Sequence, residues 1–451
     1  MNPLRSVQER TEPHKACRPR RFVLAAALLA VGVLLSVTAA GSMAWALIDV
    51  GSDGTDGTLS YTGTTPIDLS LAVTGSWNQP GDGRGVYDPD KWAVVFKYDS
   101  LYVMTGKTVT FTNHPSGAPV VWLVRRGARI DGTVRLDGQA LQTAGTFAIG
   151  GPGGFRGGRS YLSTQSRGSA GLGPGGGGYS PSGGSYTSGN GSGGSYRTAG
   201  GGPQPGISYG NARVLPLVGG SGGSAWDGTN PTFWSGGGGG GGALLLAAGL
   251  TVYIAGGITA RGGANFWYEG YVAGSGGGAG GGIRIVAESV SGTVAGISAA
   301  GGGTGNSGGF GAIRIEANSI SVTGSSNPEY TSLIPLDNNT AVIWPPSDAP
   351  TVRVTTVAGQ AIPADPRSGL SPPGDLSLNT TGQVEVLCEA ANVPTTGWKV
   401  TVRVVLKSGD EFSADATLDG GNETLSTWRV MLPQALPASN LVVVQARAVK
   451  L

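Results

Sequence analysis

The chain has 451 residues, of which 83 are glycine and only 13% are charged, against averages of about 7% and about a quarter in globular proteins. No strict Gly-X-Y period runs through it, which excludes a collagen triple helix, and the Val/Ile/Leu runs recurring between the glycines argue against a wholly disordered chain. The first 46 residues hold six of the 30 basic and two of the 28 acidic residues, so the rest carries 24 against 26 and offers no basic face for nucleic acid.

Residues 1–46 read as a targeting segment. Arg18, Arg20 and Arg21 form a basic n-region, an apolar run extends from Phe22 to about Ala40, and Ala44-Trp45-Ala46 supplies a small-residue cleavage site. Cleavage there starts the mature chain near Leu47. If the segment is retained, its apolar run of about 20 residues is long enough to anchor the chain in a membrane, and that is the only membrane contact expected. Either way the expectation is an exported bacterial protein, secreted or at the cell surface. Cys17 leaves with the leader, so Cys388 stands alone in the run VEVLCEA. No intrachain disulfide follows, and a buried thiol acting as a small hydrophobe is the favoured reading.

From Leu47 the body opens with turn chemistry. Asp53-Gly54-Thr55-Asp56-Gly57 has two carboxylates that could face calcium, but Asp-Gly is first a turn signal, and no metal is assigned. From Lys91 the runs WAVVFKY, LYVM, TVTF, PVVWLV, ARI and TVRL are short, rich in β-branched and aromatic residues, and separated by turn residues. Helical periodicity is missing throughout the body. The expected fold is therefore all-β.

Internal likeness points to a repeat. Val103 to Phe111 (VMTGKTVTF), Val124 to Gly132 (VRRGARIDG) and Leu246 to Ile254 (LAAGLTVYI) share one form, and Val286 lies 40 residues after Leu246. A unit of about 20 residues with several short strands is the mark of a solenoid. The reading is a parallel β-helix over residues 47–340, with a sandwich or up-and-down β protein as the alternative. In it Val103, Val124, Leu246 and Val286 share one core. The glycine blocks 151–210, 219–242, 274–282 and 301–311 would then leave the scaffold as long insertions, packing strand against strand or forming polyproline-II-like bundles. Aromatic residues punctuate them, and Tyr179, Tyr186, Tyr196, Trp226, Trp234, Trp267 and Tyr268 are the candidate ligand-binding side chains, since Gly/Ser/Tyr loops suit adaptable recognition.

Trp344-Pro345-Pro346 lies in a Pro-rich hinge, 341–350. Residues 351–451 lose the glycine excess and show six or seven strand-like runs, which argues for an immunoglobulin- or fibronectin-like β-sandwich. Covering the last coil of the solenoid is the role expected of it.

The block GVYDPDKWAVVFKY (85–98), with VTFTNHPSGAPVVWL (109–123) and GPGGFRGG (151–158), resembles a group of secreted glycine-rich proteins of environmental bacteria. The glycine blocks alone are similar in composition to those of mycobacterial glycine-rich surface proteins and phage tail adhesins. The resemblance implies export and a β-solenoid body, and no particular site.

Catalytic motifs are weak. Gly219 to Gly223 and Gly305 to Gly309 match G-x-S-x-G only as serine-containing glycine runs must. His114 is the one histidine after the leader and sits in the turn NHPSG, where a solvent-facing side chain is expected. It and Cys388 cannot form a zinc site. Asp82, Asp88, Asp90 and Asp99, with Arg84 and Lys91, are the acidic candidates for a polysaccharide lyase or hydrolase. From Gly138 to Gly262 Asp227 is the only acidic residue, which weighs against catalysis. No cofactor is implied. The expected function is a structural or adhesive protein that presents glycine- and aromatic-rich loops to a polysaccharide or other cell-envelope component. A carbohydrate-active enzyme on the same scaffold and a passive matrix component are the alternatives.

Overall fold

The apolar runs become strands, and among the described residues the computed structural model is nearly all β, with one helical turn. It describes residues 47–451 except 64, 76, 78–82, 142–145, 160–168, 179–190, 227–234, 266–273, 338–339, 367–373, 380–381, 407–410, 434–435 and 437–441. The leader, Asp82, Tyr179, Tyr186, Trp234, Trp267 and Tyr268 lie outside the described residues.

In chain order the first elements are β1 (Thr58–Tyr61), β2 (Ile67–Asp68), the single turn α1 (Leu71–Thr74), β3 (Val86–Asp88), β4 (Ala93–Tyr98) and β5 (Ser100–Val103). Next come β6 (Thr108–Val109), β7 (Phe111–Thr112), β8 (Val120–Val124), β9 (Ala128–Ile130) and β10 (Thr133–Arg135). Three twelve-residue strands, β11 (Ala243–Ile254), β13 (Gly282–Thr293) and β15 (Ala312–Thr323), alternate with β12 (Gly257–Thr259), β14 (Ile297–Ser298) and β16 (Thr331–Leu333).

Parallel pairing joins these into a ladder with two lanes. Lane A runs β4, β8, the first halves of β11, β13 and β15, then β16. Lane B runs β1, β5, β9 and the second halves of the same long strands. Among the described strands of this ladder only β3 is antiparallel, on β4. A second parallel sheet, β6-β10-β12-β14, faces this ladder, and β2 pairs with β7. The principal core fills the space between, with Phe96, Trp122, Leu244, Leu246, Ile283 and Ile315 from the ladder against Val109, Val134, Ile258 and Ile297. The run VVWLV of β8 is buried at all five positions, as a parallel strand covered on both faces should be.

The expected repeat of about 20 residues does not set the register. Val94 pairs with Val120, Val120 with Leu244, Leu244 with Ile283 and Ile283 with Ile313, so successive ladder steps are 26, 124, 39 and 30 residues. Val103, Val124 and Leu246 do share the principal core. Val286 does not: it pairs with Ala247, not Leu246, and enters the cluster on the outer face. A one-residue offset reverses the face of a strand residue, and the inward equivalent of Leu246 is Ile285.

The larger departure concerns the glycine blocks. The described parts at 219–226, 235–242 and 274–282 are buried; they do not hang outside as loops. Their hydrogen bonds follow a three-residue period. Gly237 and Gly240 donate to Gly158 and Phe155, Gly238 and Gly241 to Gly276 and Ala279, and Gly239 and Gly242 to Gln139 and Leu136. The next segment repeats this: Gly276 and Ala279 donate to Ser224 and Ser221, Gly277 and Gly280 to Asn306 and Gly309, and Gly278 and Gly281 to Gly263 and Ala260. Each segment therefore faces three neighbours in turn, the geometry of a threefold polyproline-II-like strand whose amides bond between segments. A Cβ at Gly240 would stand 1.8 Å from the Gly220 carbonyl oxygen, and one at Gly262 1.8 Å from that of Gly278. Only glycine lets backbones pack so closely.

The C-terminal strands are β17 (Thr351–Val357), β18 (Gln360–Ala361), β19 (Glu385–Ala391), β20 (Trp398–Leu406), β21 (Glu411–Gly421), β22 (Leu425–Met431) and β23 (Val442–Lys450). They form one antiparallel sheet in the order β18-β17-β19-β22-β21-β20-β23, curled around Val386, Cys388, Val402, Val404, Trp428 and Val430. Among the described residues, no strand of this sheet pairs with the last strands of the ladder. Val405 and Val443 pack instead on Ala170, Leu172 and Phe155, and Arg403 donates to the carbonyls of Gly171 and Gly173 while pairing with Glu411. The sheet thus packs on the glycine bundle around Ala170–Gly173.

Candidate functional site

Two straps cross the outer face of lane A. Ile48 and Val50 on one side, and Ala341, Ile343 and Trp344 on the other, cluster with Ala93, Val121, Leu123, Leu245, Ala247 and Val286. A cleft of about 770 Å³ opens there, lined by Val95, Leu123 and Trp344 together with Asp56, Arg84, Asp88, Lys91 and Lys97.

A buried charge network fixes the second strap. The IRI triplets of β13 and β15 lie in register, so Arg284 is beside Arg314. Arg284, 2% exposed, donates to Glu316 Oε2 at 2.8 Å, to the Val342 carbonyl at 2.5 Å and to the Ile343 carbonyl at 3.4 Å. Arg314 Nε reaches Glu316 Oε1 at 3.0 Å. A guanidinium with several donors in a plane can bond a carboxylate and two carbonyls together. Sequence reading overlooked these three residues. The repeated Ile-Arg-Ile in two strands of the same register was the available signal.

Every acidic group of the cleft wall has a partner. Asp56 accepts the amides of Arg84 (2.8 Å) and Lys97 (2.6 Å), which makes it a turn organiser. Lys91 Nζ lies 2.8 Å from Asp88 and 4.9 Å from the centre of the Trp344 ring, so it links the carboxylate to the strap. Burial pushes the Asp88 carboxyl up, but the hydrogen bond and charge of Lys91 together hold it below its ordinary value. Asp53 is likewise lowered, mainly by the Thr55 hydroxyl. Asp99 lies away from the cleft lining, where Arg125 lowers it, and it bonds that side chain at 2.7 Å. A general acid at neutral pH needs the opposite shift. Of the acidic candidates, the cleft gathers Asp88 with Arg84 and Lys91, while Asp90 and Asp99 are not among its lining residues.

The sequence-derived aromatic set fares differently. Tyr196 is fully buried, set edge-on to Tyr209 with ring centres 5.1 Å apart, and Trp226 is 6% exposed. Both serve the bundle interior, so neither is displayed on a loop. The reason is that the glycine segments pack on one another and need large rings to fill the gaps at their margins: a Cβ at Gly210 would meet the Tyr196 ring at 2.7 Å.

His114 is also not solvent-facing; it is 5% exposed. Its Nδ1 lies 2.8 Å from Ser116 Oγ and accepts the Ser116 amide at 3.2 Å, while its ring stacks on Tyr87 at 4.1 Å. Burial lowers its pKa, partly opposed by Asp365. Tyr87 donates to Asp365 at 2.5 Å, and burial together with that carboxylate pushes its hydroxyl up to about 12. These contacts pin the segment around Asp365 to the turn at His114.

A smaller cavity of about 460 Å³ lies between the bundle and the C-terminal sheet, lined by Pro174, Gln204, Ile207, Arg403, Glu411 and Arg447. Among the described residues no three His, Cys, Asp or Glu side chains gather as metal ligands, and no helix is long and apolar enough to cross a membrane. No family model, curated protein or solved structure matches this chain.

Proposed function

We propose that the chain is an exported structural and adhesive protein that holds a polysaccharide or other cell-envelope glycan in the cleft between its two straps, without cleaving it. In this reading the ladder and its facing sheet are a short parallel β-helix, and the C-terminal sheet is an immunoglobulin-like sandwich. The observation that carries the proposal is the pairing of Trp344 with Lys91 and Asp88 in one open cleft. An indole offers an apolar face to a sugar ring, and charged neighbours in water-accessible positions offer hydrogen bonds to hydroxyl or carboxylate substituents. The ionised state of Asp88 favours holding over proton transfer. The glycine bundle supplies rigidity: a segment bonded to three neighbours has few ways to move.

Glycan-array or cell-wall pulldown binding by the full chain tests this. Trp344→Ala is expected to abolish retention, while Tyr196→Phe, inside the bundle, leaves it unchanged. Retention undiminished in Trp344→Ala removes the cleft from the function, and turnover of a polysaccharide that is lost in Asp88→Asn would replace the binding reading with an enzymatic one.

A further inference from the structure

The face of the C-terminal sheet turned away from its core changes character along β20 and β23. Val405 and Val443 are buried against Leu172 of the glycine bundle. Two residues along, Arg403 and Gln445 are register partners, and beyond them Thr401 and Arg447. Around the arginines, sheet and bundle leave the cavity of about 460 Å³. Arg403 is fully committed there. Its Nε bonds Glu411 Oε2 at 2.9 Å, and its terminal nitrogens hold the carbonyls of Gly171 and Gly173, the Gln445 side chain and the same Glu411 oxygen. Arg447 is not. Its Nη1 donates to the Pro174 carbonyl at 3.4 Å, its Nε is buried with no partner, and among the described residues its guanidinium makes no other hydrogen bond. Burial, and then the charge of Arg403, lower its pKa. Asp415 acts on it electrostatically, but the two Asp415 oxygens hold Lys399 Nζ and Thr401 Oγ1, each at 2.8 Å.

We propose that this cavity binds the carboxylate of an acidic sugar, with Arg447 as its anchor. Two guanidinium groups and one carboxylate line it, so one positive charge is left over, and a single negative charge balances it. Nε and Nη2 of Arg447 lie along one edge of a planar fork, and that edge matches the two oxygens of a carboxylate. Turning the end of this long side chain about its rotatable bonds brings the edge to the cavity at the loss of one 3.4 Å bond. The rest of the lining suits a ring that carries hydroxyl groups. Glu411 Oε1 and Gln204 Oε1 converge over Gly178, where an added Cβ would stand 2.7 and 3.2 Å from them, and both can accept hydrogen bonds from such hydroxyls. Ile207, 41% exposed, and its neighbour Pro205 offer apolar surface to the C–H face of the ring. A free uronic acid and a uronate unit of a polysaccharide present the same group, and the two are separated by the probes used below. The cavity shares no lining residue with the cleft under Trp344, so the inference does not depend on the glycan reading of that cleft.

Isothermal titration calorimetry tests the inference, with glucuronate, a uronate oligosaccharide and glucose as probes. The full chain is used, in a mild detergent without a sugar headgroup to hold the apolar run 22–40. Saturable heat with an acidic probe and none with glucose is the expected result; heat with the monosaccharide alone marks a free acid as the source, and heat with the oligosaccharide alone marks a polymer. Arg447→Gln, which removes the charge, is expected to weaken binding about tenfold or more. Arg447→Lys keeps the charge, loses the fork and is expected to weaken it severalfold. Trp344→Ala should leave it unchanged. The urea midpoint of Arg447→Gln should stay at the parent value, because the side chain is only partly buried and makes one long bond; if that variant does not fold, Arg447→Lys carries the comparison. No heat with either acidic probe overturns the inference. So does equal binding of glucose, affinity untouched by both Arg447 substitutions, or binding that disappears in Trp344→Ala.

Discussion

Gly223 donates its amide to the carbonyl of Gly238, and three residues earlier Gly220 donates to Gly241. That pair of bonds, antiparallel and one turn of a threefold strand apart, is the smallest unit of the glycine bundle. It explains why the chain devotes so many residues to an amino acid that costs conformational entropy on folding.

Adding one methyl group there should be severe. Gly240→Ala brings a Cβ within 1.8 Å of the Gly220 carbonyl oxygen, and backbone on both sides leaves no flexible side chain to give way. The expected loss is at or beyond the upper end of ordinary overpacking, about 3 kcal/mol or more. Gly420→Ala, where nothing lies within 4 Å of the added atom, is the control. Urea denaturation followed by tyrosine and tryptophan fluorescence should separate the two by a clear shift in midpoint, and equal midpoints would contradict the packing account.

The strap depends on a buried ion network. Glu316→Gln leaves Arg284, with a side chain 3% exposed, without its carboxylate, and breaking such a pair by removing one partner costs about 3 to 5 kcal/mol. Because Arg284 also holds the carbonyls of Val342 and Ile343, amide exchange at residues 341–344 should accelerate in the variant beyond any global effect. Unchanged local exchange with lowered global stability would separate the network from the strap.

His114 makes the fold sensitive to mild acid. Burial lowers its pKa below the ordinary 6.5, so the unfolded chain binds a proton at higher pH than the folded one does, and stability falls as pH drops through about 6.5 towards the folded value. His114→Asn keeps an acceptor near the Ser116 amide and removes the titration. The difference in unfolding free energy between parent and variant should therefore shrink from pH 7.5 to pH 5.5. A difference independent of pH would assign the residue a packing role alone.

Cys388 should be inert in the native state. It is fully buried between Val354 and Trp428 on neighbouring strands, and burial pushes its thiol up to about 12, so little thiolate exists near neutral pH. Peptide mapping after treatment with a thiol reagent should show Cys388 labelled only once denaturant opens the C-terminal sheet. Rapid labelling of the native protein would place that strand at an accessible edge.

Period and composition in the sequence were enough to determine an all-β body, the change in character after Trp344-Pro345-Pro346, and the buried state of Cys388, because alternation of apolar residues and turn chemistry are local properties. They also marked Asp88, Arg84 and Lys91 as a charged group worth examining. Only the tertiary structure decided register, which placed Val286 on the outer face, since shifting a strand by one residue leaves its composition unchanged and reverses every side chain. It likewise decided that the glycine segments 219–226, 235–242 and 274–282 are the packed interior of a bundle, that Tyr196 and Trp226 fill that interior, and that Trp344 comes to lie over Lys91. A glycine has no side chain by which a sequence could signal its neighbour; what selects the neighbour is how closely two backbones can approach, and that is a property of the assembled fold.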